Sequence, residues 1–200
     1  MPKIVNRDER RAELAEALWQ VVYRDGVAAA TVRSVAAEAG WSPGALRHYF
    51  ATQGELLAFA MEHVIARATE RLTARSWPGS VREAVRQLLE EVLPLDRQRT
   101  REAEVWLMLA ARTRTDPETG TLMREADDGV RRVCASAIGA LAADGLVAPG
   151  REPDLETARL HALLDGLTLH ALLHPDLMPP ERVRALLADH LDGLRHERRA

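Results

Sequence analysis

The residues best placed to do chemistry are Ser42, Gly44, Ala45, Arg47, His48 and Tyr49, set within eight consecutive positions. All are short or hydrogen-bonding, and their chemistry is recognition rather than bond making. A helix with such a surface fits a DNA major groove about 12 Å wide. Reactive side chains elsewhere are sparse. His170 and His174 stand four apart and would share a helix face, with His161 and His190 as further candidates. No cysteine or acid follows the His170–His174 pair at a usual ligand spacing, so the histidines are expected to be solvated or interfacial, and no metal or cofactor is expected. Cys134 is the single cysteine, which excludes an internal disulfide and fits a buried structural thiol. No glutamate has a histidine three positions on, as helical di-metal oxidases require, and no serine elbow, Walker loop or paired-cysteine motif occurs. The chain is not expected to be an enzyme.

The elements that must position the cluster can be read around it. Thr31 caps a short helix in which Val32, Val35, Ala36 and Ala39 recur at helical spacing, and Gly40 ends it. Ser42 and Pro43 are a cap and first-turn pair for a second helix, whose Leu46 and Phe50 face back toward the first. Ala36 is small enough to let the two pack closely. This is the helix-turn-helix pattern. A helix from Arg7 to Asp25 precedes it, with Asn6 and Glu9 as a capping box and Leu14, Leu18, Val21 and Val22 as the inner face. Trp19 and Tyr23 are placed to pack beside Phe50. Thr52 and Glu55 form another capping box, opening a helix from about Gln53 to Arg75 that spans roughly 33 Å. Its stripe, Leu56, Phe59, Ala60, His63, Val64 and Arg67, suits a lever.

Composition narrows the class. Of 200 residues, 46% are hydrophobic, which fits a globular chain, and no apolar run reaches the length of a membrane span. The N-terminal stretch lacks a signal-peptide core, so a cytoplasmic protein without a membrane partner is expected. The net charge of −3 argues against non-specific coating of nucleic acid. The first fifty residues hold seven basic and six acidic side chains, a head of +1 that leaves −4 for the rest. That polarity permits DNA contact at one end.

The run Val35 to Leu57, VAAEAGWSPGALRHYFATQGELL, resembles the N-terminal DNA-binding domain of the tetracycline-repressor (TetR) family. The resemblance implies that Thr31, Arg33, Ser42, His48 and Tyr49 meet phosphates while Gly44, Ala45 and Arg47 approach base edges. Arg47 stands where the family usually has tyrosine and adds the option of bidentate guanine readout. Gln53 replaces a lysine that usually reaches a phosphate, removing one ionic contact. Trp41 stands where a smaller aliphatic is common.

Amphipathic segments continue to the C-terminus: Val81 to Val92, Arg101 to Arg114, a long one after Asp116-Pro117 that stops at Gly145, Asp154 to Leu173, and Pro180 to Arg195. The expected fold is all-α, about nine helices, with a three-helix head joined by the long helix to a helical-bundle body. Residues 1–52 are expected to form the DNA-binding domain and 53–200 the effector-binding and dimerisation domain. The helix carrying Leu160, Leu163, Leu164, Leu167, Leu169, Leu172 and Leu173 is apolar almost all round, which requires either the centre of the fold or a subunit interface. The resemblance implies a homodimer made by the last two helices, through Leu160, Leu163, Leu164, Leu167, Val183, Leu187, His190, Leu191 and Leu194.

The body between is similar to the C-terminal domain of the BetI branch of the family. In the family the helices carrying Met61, Trp106, Met108, Leu109, Met123 and Val133 surround a cavity for a small apolar or amphipathic effector. His63, Arg112 and Asp127 are candidates for its polar groups, and plain core is the competing role for each. Choline does not carry over, because aromatic residues make up only 4% of the chain and no aromatic cage is visible. The implied function is a homodimeric, ligand-responsive regulator of transcription, usually a repressor, bound to double-stranded DNA at a palindromic operator. The competing function is an effector-independent architectural or partner-recruiting DNA-binding protein.

Overall fold

Local cap chemistry accounts for most of the helix starts in the computed structural model, which describes residues 7–74, 76–113 and 117–196. Those residues form nine α-helices and no strand: α1 (Arg7–Asp25), α2 (Val32–Glu38), α3 (Pro43–Arg47), α4 (Gln53–Ala74), α5 (Val81–Glu90), α6 (Arg97–Ala110), α7 (Pro117–Ala143), α8 (Pro153–Leu173) and α9 (Pro180–Gly193). A single 3₁₀ turn, Val27–Ala29, fills the link between α1 and α2. The expected caps at Asn6 and Asp116 lie outside the described residues. Thr52 Oγ1 accepts the Glu55 backbone N–H at 3.1 Å, but the Glu55 carboxylate reaches back one residue further than in a standard box, to the Ala51 N–H at 2.8 Å.

The start of α6 differs from the sequence expectation. It begins at Arg97 rather than Arg101, because Asp96 is a cap and not part of a connection. Its carboxylate accepts the Arg99 N–H at 2.8 Å, and its carbonyl accepts the Thr100 N–H at 2.9 Å.

The chain packs as two units. The first comprises Met1–Ala66 with Glu104–Met123, and the second Arg67–Ala103 with Arg124–Ala200. In the first, Leu14, Leu18, Trp19, Val22, Val35, Leu46, Leu56 and Leu57 are all but fully buried. Phe50 stacks on Phe59 of α4 at 5.0 Å between centroids, and Arg11 lies 4.9 Å over the same Phe59 ring. The packing of the head therefore runs past residue 52 into α4.

The second unit has its own core, in which α5, α7, α8 and α9 contribute Val85, Leu89, Ile138, Leu141, Leu160 and Leu187 among others. Each buried leucine contributes about 1.5–3 kcal/mol relative to an exposed one. Buried ion pairs border this core. Arg71 binds Glu102 through two bonds of 3.0 and 2.7 Å and lies 3.3 Å from Glu91, while Arg151 meets Glu156 at 3.2 Å.

The same core holds most of the residues expected at the dimer interface. Leu160, Leu164, Leu167, Val183, Leu187, Leu191 and Leu194 are 0–4% exposed within one protomer and pack against one another there. Periodicity could not show this, because a helix apolar on every side carries no phase. Of the expected residues, Leu163 and His190 are only half-buried, and α8 and α9 leave further leucines open beside them. Leu155, Leu173 and Leu186 are 46%, 56% and 40% exposed, and Leu163, Leu169 and Leu172 are half-buried.

Candidate nucleic-acid interface

The surface of α2 and α3 is built from the inside outward. Val35, Ala36 and Leu46 are fully buried and Phe50 is 6% exposed, which fixes the faces that remain. Thr31 caps α2 by accepting the Ser34 N–H at 3.1 Å, and Ser34 returns the contact by accepting the Thr31 N–H at 2.9 Å. The turn then closes through Gly40 at φ +69°, a left-handed conformation that favours glycine, with the Trp41 N–H donating to the Ala36 carbonyl at 2.8 Å. Ser42 caps α3 by accepting the Ala45 N–H at 3.1 Å.

That framework leaves Thr31, Arg33, Ser42, Gly44, Ala45, Arg47 and His48 exposed and Tyr49 half-buried. No carboxylate lies between Pro43 and Phe50 to oppose a phosphate. Arg24 binds Glu38 at 2.9 Å, which holds the acid at the end of α2 in an ion pair with α1.

Three contacts in the head were not legible in the sequence. Trp41, whose orientation the sequence leaves open, stands edge-on to Tyr49 at 5.5 Å, and the Arg10 guanidinium lies 5.2 Å from its centroid. The turn tryptophan thus joins α1 to the end of α3. Gln53, read above as the loss of an ionic contact, donates from Nε2 to the Ala30 carbonyl at 3.3 Å, tying the first residue of α4 to the segment before α2.

The expected effector residues fall in two groups. Met61, His63, Trp106, Met108, Leu109, Arg112 and Met123 belong to the first unit, Asp127 and Val133 to the second. Met61, Leu109 and Met123 are buried at 3%, 0% and 7% exposure, while Trp106 and Met108 are half-buried. His63 Nδ1 lies 2.9 Å from the Phe59 carbonyl, with its ring against the Phe59 ring. Arg112 reaches the first turn of α4, where a Cβ on Gly54 would stand 3.0 Å from its Nη1. Val133 packs against the second core.

The chemistry of the second unit is modest. Cys134 is fully buried, and burial together with the negative charge of Asp165 pushes its thiol up to about 12, which suits a structural thiol rather than a reactive one. The His170 and His174 rings lie 6.0 Å apart and are exposed. Asp127 pairs with His161 at 3.3 Å, an interhelical contact that spacing along one helix cannot reveal. Burial raises the nearby Asp165 carboxyl; His161 acts against the shift and the Asp127 charge adds to it. No helix among the described residues is long and apolar enough to cross a membrane.

Comparison with known proteins agrees with this geometry. Residues 14–59 match the profile of bacterial regulatory proteins of the tetR family, and residues 81–196 match that of the BetI-type transcriptional repressor C-terminal domain. The HTH-type transcriptional regulator PksA of Bacillus subtilis is 36% identical, over 97% of this chain and 94% of its own length. A transcriptional regulator from Rhodococcus sp. Rha1 of known structure is 32% identical, with a TM-score of 0.75 over 92% of this chain and 95% of its own. The multidrug binding protein EbrR, solved as a complex with imidazole, is 28% identical, with a TM-score of 0.62 over 95% of this chain and 93% of its own.

Proposed function

This chain belongs to the TetR family of DNA-binding transcriptional regulators and is not an enzyme, and from that premise we propose that it is a homodimeric repressor released from a palindromic operator by a small apolar or amphipathic effector. The observation that carries the reading is the exposed, acid-free surface of α3, held in place by caps and core that leave Gly44, Ala45, Arg47 and His48 facing outward. Thr31, Arg33, Ser42, His48 and Tyr49 position the head on phosphates. Gly44, Ala45 and Arg47 meet base edges.

Residues 1–52 form the DNA-binding part and residues 53–200 the part that binds effector and dimerises. The dimer forms through the open faces of α8 and α9, where Leu155, Leu173 and Leu186 are not consumed by the protomer's own core. Ligand uptake is supported by the likeness to EbrR, a multidrug binding protein. Effector binding favours a conformer in which α4 shifts and the two heads lose the spacing that the operator requires.

Footprinting on the DNA flanking its own gene tests this directly. The expected result is a protected inverted repeat bound by two protomers, with protection lost on adding a compound that also raises the melting temperature. Binding no tighter than to random duplex at matched salt would sink the repressor reading. A repressor unmoved by every stabilising compound would favour the effector-independent role.

A further inference from the structure

We infer that Asp127, His161 and Asp165 form a binding site for a divalent first-row transition-metal ion that clips α7 to α8. His161 and Asp165 are four apart on α8, so their side chains are neighbours on one face. Asp127 comes from α7. His161 Nε2 lies 3.3 Å from Asp127 Oδ1 and 3.9 Å from Asp165 Oδ2, and one donor atom of each residue lies within 4.8 Å of the others.

Three features point to a cation rather than to a simple ion pair. First, charge is unbalanced. Among the described residues neither Asp127 nor Asp165 meets an arginine or lysine, whereas Glu102, Glu156 and Asp192 of the same unit bind Arg71, Arg151 and Arg82. Two carboxylates therefore converge on one imidazole. Second, the imidazole is sheltered: its side chain is only 14% exposed, with Nε2 near both acids.

Third, the carboxylates are 61% and 50% exposed, which gives an ion a route in and leaves coordination positions for water. Donors bound tetrahedrally at about 2.1 Å stand about 3.4 Å from one another. The His161–Asp127 separation already has that value, and Asp165 closes the rest by rotating an exposed side chain. One imidazole and two carboxylates suit Zn²⁺, Co²⁺ or Mn²⁺ and lack the soft sulfur donors that select Cu⁺. The sequence offers only the His161–Asp165 pair at i, i+4, which is too few donors to predict a metal. Asp127 lies on another helix.

Cobalt serves as the probe, since its d–d bands report coordination directly. Full-length protein titrated with Co²⁺ is expected to show visible bands that saturate at one ion per protomer and are displaced by Zn²⁺. The exchange Asp127→Asn, at an exposed side chain that leaves the fold intact by circular dichroism, should weaken binding at least tenfold. His161→Gln should abolish it, and a His170→Gln, His174→Gln double variant should bind as the parent does. Absence of bands at millimolar Co²⁺ would overturn the site. So would bands that survive in Asp127→Asn with Asp165→Asn, or that vanish with His170 and His174 instead.

Discussion

Replacing Arg71 by methionine tests whether the ion cluster at the end of α4 carries structural weight. Arg71 is 19% exposed at its side chain and faces two carboxylates, Glu91 and Glu102, that are 8% and 6% exposed. Its guanidinium stays more basic than usual despite burial, because the paired bond to Glu102 and the Glu91 charge outweigh the lost hydration. Methionine fills most of the volume but strands the acids. Removing one partner of a buried pair costs about 3–5 kcal/mol. The lower end applies here, since Glu102 keeps the Gln98 amide at 3.0 Å and Glu91 keeps Arg99 at 3.4 Å. A loss of about 3 kcal/mol should lower the melting temperature by about 6–12 °C for a chain of this size. Urea and thermal unfolding at fixed protein concentration measure it. Glu102→Gln added to Arg71→Met should recover part of the loss, because the stranded charge is then gone. A loss below about 1 kcal/mol, the range of an exposed pair, or a double variant no better than the single, would refute the account.

Other perturbations address the remaining sites. Arg47→Ala should lose about 1–3 kcal/mol on the cognate operator and little on random duplex by fluorescence anisotropy; equal losses on both would remove Arg47 from base readout. Leu173→Glu should yield folded monomers by sedimentation, whereas Leu167→Glu, at a side chain 4% exposed, should unfold the protomer. A folded dimer from both would place the interface elsewhere. Burial holds His190 below the ordinary 6.5, with Glu156 acting against the shift and Arg151 reinforcing it. The unfolded chain therefore takes up that proton first, so the stability due to the neutral ring is present above pH 6.5 and declines as pH falls through 6.5 toward the folded value. His190→Gln should flatten that decline in urea midpoints, and an unaltered slope would dismiss the assignment. Trp106 fluorescence should change at effector saturation if it lines the pocket, and an unmoved spectrum would count against it.

The sequence disclosed what local chemistry determines. Ser42-Pro43 could hardly be anything but a helix start, and Gly40 marks its turn because few other residues accept φ +69°. Asp96 was missed as a cap because a proline stands two residues before it, and the stretch reads as a connection. The division of α8 into inward and outward leucines was closed to pattern reading, since the helix is apolar on nearly every side and only its neighbours decide. Arg10 on Trp41, Gln53 on Ala30 and Asp127 on His161 each join residues far apart in sequence. No periodicity encodes such pairs.

The two units meet the chain at three places, after Ala66, after Ala103 and after Met123. Each falls inside a helix, α4, α6 and α7 in turn, and none in a loop. Transplanting this head onto another body is therefore a splicing problem with three seams rather than one. An α-helix turns about 100° per residue, so a seam misaligned by a single position rotates everything beyond it onto another face. Chimeras cut at residue 52 keep the recognition surface but discard Phe59, the ring on which Phe50 rests. Grafts that carry the three half-helices together, in register, are the ones that should retain a folded reader.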